Sequence, residues 1–310
     1  MNVTGGIALV AVLLVAAAAP AAAQTGRHHA ADTVVETDGT FHPLASVRIT
    51  ADEGDRFYVA ARMQTKSATQ GPTHNMLVAL LLGCADGLPE LRSTQNIHYG
   101  QDVLTHQGRY LFTAPHDGVF ECRLQARGGI HGPQSDPPAR FTVDGAHSYL
   151  AVSGRQPSWA RQAYQRQQRL IRSGRERNIA NLAFTAPDDV ARLSATADIE
   201  MTNCYNDGYL CDTVPGNKLP SVVRTRLLVM QKDRGGGYCR VTRWPASGPK
   251  TTVITRRQHH KKAYHRVADV PVSTRASCTR DFRVAVHTRV VSGNDPMIEM
   301  GPYTNTFVRG

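Results

Sequence analysis

The chain has 310 residues, 41% of them hydrophobic and 20% charged, with a formal net charge of +11. That length exceeds one domain of common size, and the composition reads as globular, excluding a largely disordered chain. Its six cysteines form an even set, which in an oxidising space reads as three disulfides and not as metal thiolates.

The chain opens with an apolar run from Ile7 to Ala19, then Pro20 and the small residues Ala21 and Ala23. This is the pattern of a signal peptide cleaved after Ala23, although no Lys or Arg precedes the apolar run. Export is therefore expected, with a secreted or envelope-associated destination and no membrane span once residues 1–23 are removed. His28 and His29 fall in a mature N-terminus, residues 24–45, expected to be disordered.

Strand signals follow. RFYVAARM puts Phe57, Val59, Ala61 and Met63 on one side, and GVFECRLQAR does the same with Phe120, Cys122, Leu124 and Ala126. This period of two is that of a strand with one face buried. Pro115, Asp117 and Gly118 supply a hairpin turn ahead of the second run. Residues 46–153 are read as a first β-sandwich domain.

Residues 154–187 read as a basic amphipathic helix. At 100 degrees per residue Trp159, Ala160, Ala163, Tyr164, Leu170 and Ile171 share one side, with Arg161, Gln165, Arg169 and Arg172 opposite. Pro157 suits its first turn and Gly174 its exit. Beyond it, ARLSATADIEM directs Leu193, Ala195, Ala197, Ile199 and Met201 inward, and FRVAVHTRV directs Phe282, Val284 and Val286 inward. Residues 188–310 are read as a second, basic sandwich. The fold class expected is thus mainly β, two antiparallel β-sandwich domains joined by a helix.

Cysteine spacing supports a duplication. Cys84 follows an apolar run and Cys122 sits in an alternating strand; Cys239 and Cys278 repeat the order at almost the same separation. The expected pairs are Cys84 with Cys122, Cys239 with Cys278, and Cys204 with Cys211 across a short loop.

Charge is divided unevenly. Residues 24–150 carry 10 Lys and Arg against 13 Asp and Glu, whereas residues 151–310 carry 26 against 12. The basic field therefore belongs to the second half, which bears on partners rather than on fold. Within it, TRRQHHKKAYHR concentrates Arg256, Arg257, Lys261, Lys262 and Arg266 without an acid. These five are the candidate contacts to an anionic partner such as a glycopolymer or polysaccharide; the competing reading is a basic hairpin that protects a sheet edge. Nucleic acid is disfavoured, because Tyr264 is the one aromatic inside the run.

No HExxH, GxSxG, GxxxxGK[ST] or GxGxxG signature occurs, so no catalytic residue, cofactor or metal site is assigned. Adjacent His259 and His260 would point to opposite faces of a strand, and Asn206, Asp207 and Asp212 lack EF-hand spacing. Asp198 and Glu200 lie on the off-core side of their strand, a position that is ordinary surface as often as catalytic machinery. The expected function is a secreted, disulfide-stapled binding or envelope-associated protein without catalytic activity. The alternative is a secreted hydrolase of a wall polymer or polysaccharide, its carboxylates gathered from distant strands.

Overall fold

The computed structural model describes residues 26–69, 75–84, 91–97, 100–131, 139–155, 159–203, 220–255 and 258–310. The signal-peptide reading, Cys204, Cys211 and the oxygen-bearing loop around them, and Arg256 and Arg257 lie outside the described residues.

The first half is built from β1 (Gly26–His29), β2 (Thr33–Glu36), β3 (Phe41–Ala51), β4 (Arg56–Thr69), β5 (Asn75–Gly83), β6 (Leu91–Ile97), β7 (Thr105–Thr113), β8 (Gly118–His131), β9 (Arg140–Val143) and β10 (Tyr149–Arg155). One sheet runs β1-β10-β4-β9-β2, with β7 on the other edge of β4; the facing sheet runs β3-β8-β5-β6. Between them lies a core that includes Phe57, Val59, Met63, Leu80, Leu82, Tyr110, Phe112, Phe120 and Leu124. Each alternating residue expected to point inward in β4 and β8 is buried.

The second half comprises β11 (Ala160–Gln165), β12 (Arg169–Leu170), β13 (Glu176–Thr185), β14 (Arg192–Thr202), β15 (Ser221–Asp233), β16 (Tyr238–Trp244), β17 (Lys250–Ile254), β18 (His260–Pro271), β19 (Cys278–Ser292), β20 (Met297–Ile298) and β21 (Gly301–Arg309). One sheet runs β11-β21-β14-β20-β12, with β18 also on β14; the other runs β13-β19-β15-β16, with β17 also on β15. A separate core gathers Trp159, Ile179, Leu193, Ile199, Leu227, Val229, Phe282, Val284 and Val286.

The halves repeat one topology. Strands β1, β10, β4 and β7 correspond to β11, β21, β14 and β18, and β3, β8, β5 and β6 to β13, β19, β15 and β16. Two disulfides have the expected partners, Cys84 with Cys122 and Cys239 with Cys278. They are not placed alike. Cys84 follows β5 and joins the adjacent β8, whereas Cys239 on β16 and Cys278 on β19 close over the end of β15 from both sides.

Two expectations are corrected. The described residues of 154–187 form no linker helix; they contain β11, β12 and β13, and no α-helix occurs among the described residues. The backbone of β11 pairs with β21 from Ala160–Arg309 to Gln165–Gly301, so ladder hydrogen bonds from distant sequence override the local helical pattern. Trp159 is buried against Phe184, ring centroids 5.1 Å apart, and belongs to the second core. Residues 24–45, expected to be disordered, contribute β1, β2 and the start of β3; β1 pairs with β10 and β2 with β9. No helix among the described residues is long and apolar enough to cross a membrane.

Candidate functional site

In β14 the residues pointing away from its own core, Thr196, Asp198, Glu200 and Thr202, are also buried. The first sandwich covers them. Glu200 Oε2 accepts the Thr94 N–H at 2.8 Å and stands 3.7 Å from Lys262 Nζ, which donates to the Arg92 carbonyl at 2.7 Å. Arg109 Nη1 reaches to 3.6 Å from Asp198 Oδ1. The Tyr264 hydroxyl accepts the Gln107 N–H at 2.8 Å and lies 3.2 Å from Ser93 Oγ, itself 3.0 Å from His106 Nδ1. Asn96 accepts the His260 N–H, Gln162 accepts the Leu111 N–H, and Tyr58 packs on Phe307 with centroids 5.0 Å apart.

This seam joins the two sandwiches by polar bonds between sheet faces. Its titratable groups are far from their ordinary states. Burial pushes the Glu200 carboxyl up to about 8, against the pull of Lys262 and the Thr94 N–H. Burial also raises Asp198, with Arg109 opposing, and lowers the Lys262 ammonium, with Glu200 opposing. His106 is held down at about 3, first by burial and then by the Lys262 charge.

Of the five cations proposed from the basic run, two lie outside the described residues. Lys262 is corrected: its side chain has no exposed surface and its ammonium is committed to Glu200 and Arg92, so it offers no charge to a partner. Lys261 is half-buried and Arg266 is exposed. Asp198 and Glu200, which the sequence left between surface and catalytic machinery, are interior. Strand alternation identifies the side away from a core, but it carries no information on whether water or a second sheet lies there.

A different set of cations comes together on the outer face of the β13-β19-β15-β16 sheet. Inward Leu227, Val229, Val284 and Val286 leave Arg224, Arg226, Leu228 and Met230 of β15, and Arg283, Ala285, His287 and Arg289 of β19, on the opposite side. Register sets Arg224 directly opposite Arg289, Arg226 opposite His287 and Met230 opposite Arg283; on the other side of β15, Arg243 faces Leu228. From the Arg224 row to the Met230 row is roughly 20 Å at the strand rise. Ala285 and Met230 are buried between the cations, giving the face an apolar floor. At one corner Glu176 contacts Arg289 at 3.2 Å and His287 at 3.3 Å, and Asn181 accepts from Arg283.

Like charges directly opposite on a sheet face are destabilising; here Glu176 offsets Arg289, and Arg226 donates to the Pro245 and Ala246 carbonyls, each at 3.0 Å. These arginines were legible in principle: once Phe282, Val284 and Val286 are read as inward, the interleaved Arg283, His287 and Arg289 must share the other face.

No family model matches the chain, and no curated protein matches it. Among solved structures, one similar to it is the N-terminal CBM22-1-CBM22-2 tandem domain from Paenibacillus barcinonensis Xyn10C, at 10% identity over 95% of this chain and 100% of that chain, TM-score 0.23. Another is the infectious bursal disease virus Gx strain, at 9% identity over 96% of this chain and 75% of that chain, TM-score 0.30. At these values the fold rests on the strand order itself.

Proposed function

We propose that this chain is an exported, non-catalytic binding protein whose second sandwich docks an anionic glycopolymer or polysaccharide on the outer face of β13, β19, β15 and β16. The observation that carries the reading is the cross-strand Arg224–Arg289 pair, extended by Arg226, Arg243 and Arg283 on one face. A polyanion lying across these strands would meet several guanidinium heads at once while the arginine stems rest on the apolar floor.

The test is elution of the full chain from a sulfated-polysaccharide matrix in a salt gradient. Retention should fall steeply with ionic strength. The variant Arg224→Glu/Arg226→Glu/Arg243→Glu/Arg289→Glu should elute at much lower salt with an unchanged circular dichroism spectrum. Unchanged elution of that variant, or equal retention on neutral dextran, would defeat the proposal.

A further inference from the structure

Beside the seam, the outer face of the β3-β8-β5-β6 sheet carries a cleft of about 460 Å³. Its floor is Leu77, Ala79 and Leu81, successive outward residues of β5. Register sets Arg92 beside Leu81, Arg127 beside Ala79 and Gly129 beside Leu77. Tyr303 of the second sandwich closes one wall, with the Arg92 guanidinium 6.0 Å from its ring centroid and Arg92 Nη1 donating to its hydroxyl at 3.4 Å. The cleft is therefore complete only when the two sandwiches are docked.

We infer that this cleft binds a medium-length aliphatic carboxylate, its head group held by Arg92 and Arg127 and its chain laid along the β5 floor toward Gly129. The floor spans roughly 13 Å from Leu77 to Leu81 at the strand rise, and the volume lies within the range of small-molecule sites. Among the described residues neither guanidinium has a carboxylate partner: Arg127 lies over the Phe41 ring at 5.2 Å and Arg92 over Tyr303. Asp38 also lines the cleft, but its Oδ1 is occupied by the Thr40 N–H and hydroxyl, each at 2.8 Å. Two cations against one engaged acid leave the cleft selective for an anion. Gly129 leaves the far end open, since a Cβ there would meet Leu77 only at ordinary contact distance, 3.7 Å.

This site is separate from the arginine face of the second sandwich, and the two can fail independently. Isothermal titration of the full chain with dodecanoate should show saturable binding. Dodecyltrimethylammonium, which has the same tail and a cationic head, should show none. Exposed Arg127→Gln should weaken dodecanoate binding at least ~10-fold, as should Arg92→Gln, by loss of a charge-assisted bond. Gly129→Leu, which the backbone accommodates, should abolish binding by filling the tail end. The four-arginine variant of the second sandwich should bind dodecanoate as before. No dodecanoate binding, equal binding of the cationic amphiphile, or affinity unchanged in Arg127→Gln and Gly129→Leu would each overturn the inference.

Discussion

Replacing Lys262 with Met removes one ammonium from the seam and leaves the Glu200 carboxyl enclosed, with the Thr94 N–H still donating to it. Breaking a buried pair by deleting one partner costs about 3–5 kcal/mol, which for a chain of this size lowers the Tm on the order of 10 °C. The penalty depends on pH, and its sign follows from Glu200. Its carboxyl is raised in the fold to about 8 from an ordinary 4.5, so the stability linked to its protonation is fully present below pH 4.5 and lost as pH rises through about 8. Without Lys262 the carboxyl rises further, so the cost of the substitution should be small near pH 5 and largest near pH 9. Urea denaturation at pH 5, 7 and 9 measures this directly. Lys262→Met/Glu200→Gln should recover most of the loss, because the amide oxygen can still accept from Thr94 and position 200 carries no charge to enclose. A change under ~1 kcal/mol at pH 9, together with reduced retention on a sulfated matrix, would return Lys262 to the surface and refute the seam as described.

Two further outcomes follow from the same geometry. Removing one bridge with Cys84→Ala/Cys122→Ala should lower stability by about 4 kcal/mol on the chain-entropy model, given a loop of sequence separation 38; a urea midpoint unaltered relative to the parent would contradict it. His106 is lowered from 6.5 to about 3, so its contribution is present above pH 6.5 and lost as pH falls toward 3. Between pH 7 and 4.5 the parent should lose about 3 kcal/mol through this group, and His106→Gln should show a shallower decline, read from urea midpoints at the two pH values.

Much of the architecture was legible in the chain. The period of two at Phe57–Met63, Phe120–Ala126, Leu193–Met201 and Phe282–Val286 identified buried strand faces that are buried in the structure, because a pleated strand imposes that alternation whatever its neighbours. The cysteine separations identified two bridging pairs, because each pair clips neighbouring parts of one repeating sheet. Local pattern failed where distant backbone decided the outcome. Residues 160–165 carry a helical distribution of apolar groups but extend as β11 because β21 offers an unpaired edge.

The candidate sites divide along the same line. Lys262, Asp198 and Glu200 follow the outward phase of β18 and β14, and in sequence that phase means water. The docking of one sandwich on the other replaced water with Arg92, Thr94 and Arg109, and so turned surface charges into a buried fastener. Which side of each strand faces its own core was written in the order of residues; what covers the other side was decided only when two complete sheets met, because that contact depends on shape and charge assembled from strands a hundred residues apart.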